Sequence, residues 1–384
     1  MKIRLTHDVM ADAVAWVARS LPNRPSVPIL AGMLLKADAD GITFSSFDYE
    51  TSAKISVPGD VIDDGVALVS GRLLNEIARS LPNRTVEIST DSSRAEVVCG
   101  SARFTLQLLP VHDYPSLPQL PPPSGTVEST EFAKAVGQVV VAAGRDELLP
   151  VFTGVRVEIE DDRLSLLATD RYRMALKELP WRPLASQTTA ALVPARVLSE
   201  TSKNMSVGDY ITLSLNTEAG DALLGFEGEG QSGIRQLTTR LLDGEFPKLR
   251  HLMDIKPNLS VRVKTEDIIA TVKRVALVAE RNTPIRMTLG DDQISFDAAT
   301  GDQAQASEVL EAVVATDSGS ADEKIALGFN PNYLLDALNS FDTPYIHFSF
   351  TAPGKPCLVQ GLDDVDGDPK PDYKHVIMLM RLPN

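Results

Sequence analysis

Leu164-Ser165-Leu166-Leu167-Ala168-Thr169-Asp170 is the stretch on which the reading of this chain turns. An apolar, alternating run ends in a polar residue six positions after Leu164, and the same plan occurs twice more. Ile42-Thr43-Phe44 reaches Asp48, and Ile294-Ser295-Phe296 reaches Thr300, each with that spacing of six. Alternation marks a half-buried strand and the polar residue marks the turn after it. Copies set about 125 to 135 residues apart signal an internal repeat, which fixes the architecture before any single element does.

Helix signals keep the same period. Thr130 and Thr265 are expected N-caps, followed by Phe132, Val136, Val139, Val140 and by Ile268, Ile269, Val272, Val275, Ala279 at amphipathic spacing. Asp8 with Met10, Val14 and Val17 gives the matching helix in the first copy. A second helix is predicted later in each copy, from Leu73, Leu74, Ile77 and Leu81, from Val197, Leu198 and Thr201, and from Tyr333, Leu334, Leu335 and Leu338. Pro194 and Pro331 fit first helical turns, where the missing N–H has no partner to lose. Each copy closes on an aromatic landmark: Tyr114-Pro115, Phe246-Pro247 and Tyr373. Within the first copy, Ala18-Arg19-Ser20-Leu21-Pro22-Asn23-Arg24 recurs letter for letter as Ala78 to Arg84, which suggests that a copy is itself two helix-plus-strands motifs.

Between helices the chain reads as short strands, for example Arg94–Val98 and Arg103–Leu108. Pro118, Pro121, Pro122 and Pro123 make the run 115–125 unfit for a central strand and the natural linker. A softer boundary falls near 252–258. Few helices and many antiparallel strands predict an α+β chain of domains 1–123, 124–252 and 253–384.

Composition agrees. The 384 residues exceed one ordinary core at about 100 to 200 residues per domain, and 43% apolar with 23% charged residues can build three. Lys2, Arg4, His7 and Asp8 open the chain with no apolar run behind them, so no signal peptide or anchor is read there and a cytoplasmic location is expected. Cys99 and Cys357 form no CxxC pair, which fits a reducing compartment and excludes a disulfide framework. The net charge of −15 opposes static gripping of phosphate but tolerates a protein threaded on a polyanion.

Tempting motifs have plainer readings. Gly228-Glu229-Gly230-Gln231-Ser232-Gly233 matches GxGxxG, yet the run Ile234 to Leu242 after it reads as a strand where a dinucleotide site needs a helix. A hairpin turn is expected. Asp364-Val365-Asp366-Gly367-Asp368 starts like a calcium loop, but His375 stands where a bidentate Glu belongs. His7, His112, His251, His347 and His375 are scattered and make no ligand pair. With no nucleophile elbow either, neither an enzyme nor a metal or cofactor site is expected.

Several ordered segments carry a resemblance over essentially the whole chain. They are Arg24 to Leu30, Ala168-Thr169-Asp170-Arg171-Tyr172-Arg173, Leu242-Asp243-Gly244-Glu245-Phe246-Pro247, Gly328-Phe329-Asn330-Pro331-Asn332-Tyr333, and the terminal Met378 to Leu382. In that order and spacing the chain resembles the bacterial β sliding clamp, the DNA polymerase III β subunit, and its Asp-Arg-Tyr-Arg, Phe-Pro-Lys and Pro383-Asn384 segments look actinobacterial. The resemblance implies three structurally similar clamp domains per subunit, with helices lining the inside and antiparallel sheets on the outside of a ring. It implies a head-to-tail homodimer, a non-enzymatic processivity factor that encircles double-stranded DNA without sequence preference and contacts no membrane. The rival reading is a clamp-fold protein-binding scaffold that does not encircle DNA.

Site residues follow by the same resemblance. Phe104, Leu106 and Leu277 map to the dimer interface, although by residue type alone they also read as core. Arg24, Arg72, Arg79, Lys134, Arg145, Arg196 and Lys203 map to the DNA-facing wall, and Arg19, Lys273, Arg274 and Arg281 fall on or beside the predicted helices; some are solvated helix faces. A pocket between domains 2 and 3 is implied, taking short linear peptides from replicative polymerase, clamp loader, repair polymerases and mismatch-repair proteins. Its positions here are Phe152, Thr169, Arg171, Tyr172, Arg173, Met174, Pro247, Leu249, His251, Leu252, Asn330, Tyr333, Pro356, Met378, Leu379, Met380, Arg381 and Leu382. Relatives usually carry proline where this chain has Leu379 and often leucine where it has Met174; actinobacterial ones commonly have an aromatic and a glutamine where it has Leu249 and His251. These departures raise the expectation of a specialised copy whose reshaped pocket rejects a peptide-like clamp inhibitor, a case of antibiotic resistance, with ordinary drift as the alternative.

Overall fold

Each third of the chain opens with a short strand that runs directly into a helix: Lys2–Thr6 into α1 (His7–Ala18), later Gly125–Glu128 into α3 (Ser129–Val140), then Leu259–Lys264 into α5 (Thr265–Val275). The junction recurs halfway through each third, where Gly65–Ser70 enters α2 (Gly71–Ser80), Thr189–Pro194 enters α4 (Ala195–Asn204) and Ala326–Phe329 enters α6 (Pro331–Asn339). The doubled motif read from Ala18–Arg24 and Ala78–Arg84 thus has a structural counterpart, and both copies bury their leucine, Leu21 and Leu81. The computed structural model describes residues 1–184, 188–218, 220, 222–254, 256–280, 283–300, 303–316, 325–352 and 354–382. Arg281 and Pro383-Asn384 lie outside them.

The chain divides into two compact units, 1–133 with 160–162 and 180–241, and 134–159 with 163–179 and 242–384. In the first, a five-stranded sheet runs in the order 60–63, 2–6, 85–90, 94–99, 102–107. A nine-stranded sheet runs 182–183, 125–128, 210–216, 223–229, 234–240, 51–57, 41–47, 32–38, 65–70. Strand 234–240 pairs antiparallel with 51–57, Leu237 opposite Ala53, so main-chain hydrogen bonds sew one repeat to the next. Helices α1 and α2 pack together, α1 burying Met10, Ala13, Val14 and Val17. The GxGxxG segment is the hairpin connection expected, closed by the Gly230 N–H donating to the Gly233 carbonyl at 2.8 Å.

In the second unit a sheet runs through 163–169, 173–180, 373–377, 357–362, 345–350, 259–264 and 313–316, and strand 173–180 meets 373–377 with Ala175 opposite His375. A four-stranded sheet runs 304–311, 293–300, 285–289, 326–329. Helices α5 and α6 pack together.

Four local expectations need correction. Thr130 is not the cap of α3: the Glu128 carboxylate accepts the N–H groups of Thr130 and Glu131 instead, and those bonds hold its carboxyl below the usual range. Thr265 lies inside α5 and donates its hydroxyl to the Thr343 carbonyl. Pro194 precedes α4 rather than opening it, whereas Pro331 does stand in the first turn of α6. Leu73 is 46% exposed and belongs to the outer face of α2. Among the described residues no helix is long and apolar enough to cross a membrane.

Candidate functional site

The turn 169–173 is built by side chains that satisfy its own backbone. Asp170 Oδ1 accepts the N–H groups of Tyr172 and Arg173, both at 3.0 Å, the Asx geometry that lets a short acidic residue replace a missing strand partner. Thr169 Oγ1 donates to the Arg173 carbonyl at 2.7 Å and accepts the Arg171 N–H at 3.1 Å. Held this way, Arg171 adopts left-handed backbone at φ 82°, which is costly for a residue with a Cβ and persists only where its surroundings impose it. The first repeat has the same frame: Asp48 Oδ1 accepts the N–H groups of Glu50 and Thr51, and Tyr49 has φ 76°.

Arg173 occupies the centre of the site. Its guanidinium is 7% exposed, bonded through Nε to Asp170 at 3.0 Å and through Nη1 to Asp336 of α6 at 2.6 Å, and it lies 4.4 Å from the centroid of the Tyr333 ring. Tyr333 in turn stacks on Tyr172, centroids 6.3 Å apart, while the Arg171 guanidinium sits 5.6 Å from the Phe152 centroid and 5.7 Å from that of Tyr172. Burial and the nearby Asp170 raise the Tyr333 hydroxyl above its ordinary value, keeping it protonated at neutral pH. Asn330 caps α6, its Oδ1 accepting the N–H groups of Asn332 and Tyr333, and this fixes where Tyr333 points.

These groups enclose a cleft of about 470 Å³. Phe152, Arg171, Tyr172, Arg173 and Tyr333 of the predicted pocket line it, as do Asp170 and Asn332 of the quoted segments, Arg145, which was mapped to the DNA-facing wall, and residues that the sequence reading did not name: Ala143, Gly144, Asp146, Leu149 and Asp336. Asp336 could have been suspected from its place one turn after Tyr333 on the same helix. Two predicted lining residues are corrected. Thr169 and Met174 are each 2% exposed: the Thr169 side chain is engaged in the turn and that of Met174 is packed in the core, so neither lines the open cleft.

The other predicted residues lie on the terminal segment 378–382, on the segment 247–252, and at Asn330 and Pro356. Met378 donates its N–H to the Tyr172 carbonyl at 2.8 Å, and Met380 to that of Gly328 at 2.9 Å. A Cβ at Gly328 would stand 2.6 Å from the Met380 carbonyl, so only glycine lets the terminal segment lie down here. Leu379, Met380 and Leu382 are half-buried and Met378 and Arg381 exposed; Pro356 and Asn330 are half-buried. The segment bearing Pro247, Leu249, His251 and Leu252 ends in a single 3-10 turn, 250–253, and is held by buried Phe246 and Met253 and by Arg250, which the sequence reading missed. Arg250 reaches the Glu158 carboxylate and, at 3.5 Å, that of Glu178. Burial of Glu158 opposes its charge, but hydrogen bonds from Arg156 and Arg250 outweigh it and hold its carboxyl below the usual range.

The predicted DNA-facing residues Arg24, Arg72, Arg79, Lys134, Arg145, Arg196 and Lys203 are all exposed. Lys134 pairs with Asp342 at 2.6 Å, Arg196 with Glu200 at 3.1 Å, and Arg72 donates to the Pro22 and Asn23 carbonyls. Of the interface candidates, Leu277 is 84% exposed and Phe104 half-buried on the outermost strand 102–107, whereas Leu106 is 2% exposed and points into the core. For Leu106 this burial matches the core reading that its residue type also offered. No group of three or more potential metal ligands occurs among the described residues.

Three comparisons with known proteins bear on this site. The families described as DNA polymerase III beta subunit, N-terminal, central and C-terminal domain match residues 1–118, 126–248 and 252–381. The chain is 50% identical over 384 residues to a beta sliding clamp of Streptomyces coelicolor, covering all of both chains. It is 36% identical over 382 residues to the beta sliding clamp homolog GriR of Streptomyces muensis, covering 99% of each. A crystal structure of a Pseudomonas aeruginosa sliding clamp bound to griselimycin superposes with a TM-score of 0.88 at 22% identity, covering all of both chains. The fold is that of DNA sliding clamps, three similar domains of antiparallel sheet and helix. The chain belongs to the DNA polymerase III β subunit family, the bacterial β sliding clamps, and its actinobacterial character is borne out.

Proposed function

We propose that this protein encircles duplex DNA as a head-to-tail homodimer and tethers the replicative polymerase, with its domains divided at 1–123, 124–252 and 253–384. The observation that carries the reading is the match to all three β-subunit domains along one chain. The edges of the sheets agree with it. Among the described residues nothing pairs with the outer side of strand 102–107 in the first unit or of strand 304–311 in the second. Such open edges, on unlike surfaces, are the raw material of a heterologous interface that closes into a ring. With a net charge of −15, retention on DNA then comes from threading rather than adhesion. The protein itself performs no chemistry.

The cleft beside Tyr172 and Tyr333 is assigned to the short linear peptides of polymerase, loader and repair proteins. Its aromatic faces supply contact area and Arg145 and Arg171 supply donors. A second reading, a copy reshaped against a peptide-like inhibitor, is favoured by Leu379 and by the likeness to GriR, although the identity to the Streptomyces coelicolor clamp is higher. The decisive experiment loads purified protein onto nicked circular plasmid with a clamp loader and ATP. Retention on circles and escape after linearisation is expected, with a dimer mass by size exclusion; a monomer that leaves both DNAs equally fast refutes the reading and favours a scaffold.

A further inference from the structure

The two aromatic walls of the cleft stand on different parts of the second unit. Tyr172 belongs to the turn before strand 173–180, and Tyr333 to the first turn of α6. Among the described residues a polar link joins them through the Arg173 guanidinium, held on the turn side by Asp170 and on the helix side by Asp336. Because Arg173 is 7% exposed, each carboxylate that it loses leaves a buried cation less compensated, and it sits over the Tyr333 ring at 4.4 Å from the centroid, so its position bears on that of the ring. Asp336 is 45% exposed and lines the cleft, hence its removal opens no cavity in the core.

We propose that Asp336 is a positioning residue of the peptide cleft: through Arg173 it fixes the placement of the stacked Tyr172 and Tyr333 rings against which a ligand must lie. This rests on reading the cleft as the peptide pocket. Ligand affinity then depends on a residue 163 positions from its partner in sequence. The carboxylate, rather than the volume, is what matters.

The test uses full-length protein and a fluorescent peptide copied from the clamp-binding segment of the replicative polymerase. Asp336→Asn is expected to weaken binding about tenfold, within the range of coupling between residues sharing one polar network. Asp336→Glu should restore most of it, and Asp336→Asn combined with Arg173→Met should be no weaker than Arg173→Met alone. A 19F-labelled tyrosine at 333 reports the ring stack without ligand, and its resonance should move in Asp336→Asn while the melting temperature stays near that of the parent. An unmoved resonance, equal affinities in all variants, or multiplicative losses in the double variant each overturn the proposal. If the parent chain itself binds no peptide, the pocket assignment fails, and the 19F resonance still decides the positioning role.

Discussion

Replacing Asp12 by alanine strands a buried guanidinium. Arg235, in strand 234–240, is 7% exposed; it bonds to Asp12 of α1 and to the Asn204 carbonyl, and lies 5.1 Å from the centroid of a Trp16 ring. Among the described residues the Arg235 Nε and the Asp12 Oδ2 find no hydrogen-bond partner, so the remaining bonds of the pair weigh more. Breaking a buried pair from one side costs about 3–5 kcal/mol, and the lower end applies because Asp12 is 16% exposed and the Asn204 carbonyl and Trp16 remain. For a body of this size, about 2–4 °C per kcal/mol converts 3 kcal/mol into a fall of about 6–12 °C in the first unit's melting temperature. Asp12→Leu with Arg235→Met should return to within about 1 kcal/mol of the parent, since a well-packed apolar pair avoids desolvating two charges. Thermal and guanidinium melts of the four proteins measure both numbers. A double variant less stable than either single one, or an Asp12→Ala loss below about 1 kcal/mol, would show that the pair is not what holds α1 to this strand.

Burial lowers His375 to about 3 and His347 to about 4, so above about 6.5 both imidazoles are neutral folded or unfolded, and as pH falls from 6.5 toward those values only the unfolded chain takes up protons. Stability should therefore be complete above about 6.5 and decline below it, and denaturant midpoints at pH 7 and pH 5 should differ less in a His375→Gln variant than in the parent. Leu379→Pro should be tolerated, because the bonds of this segment are made by the N–H groups of Met378 and Met380. If the pocket has been reshaped, it should raise griselimycin affinity about tenfold or more and leave the polymerase peptide within about threefold, as a relieved clash would; calorimetry showing both unchanged dismisses the idea.

Periodicity and turn chemistry carried the fold. Strand 163–169 and its counterparts, the hairpin after Glu229 and the Pro331 start of α6 are all decided by neighbours within a few residues, and local sequence displays them. What lay beyond it depended on distant partners. Along 102–107 the alternation puts Ala102, Phe104 and Leu106 on the less exposed face, but it could not say whether that face meets the chain's own core or a partner, the two readings left open for Leu106. Thr130 and Thr265 carry the right groups for caps, but Glu128 accepts the first N–H groups of α3, and Thr265 already lies inside α5 with its hydroxyl donating to the Thr343 carbonyl. Of the site, the segments were legible and their joining was not: nothing near Arg173 announces Asp336, and nothing near Leu249 announces that Arg250 must find Glu158.

The seams between repeats have a mechanical consequence. Strand 234–240 against 51–57, and 173–180 against 373–377, are antiparallel ladders, so a force along the strands loads many backbone bonds at once instead of peeling them singly. Side-chain substitutions there leave the stitching itself intact. Within each unit a pull is therefore met first at the bare margins, strands 102–107 and 304–311, rather than at these inner ladders.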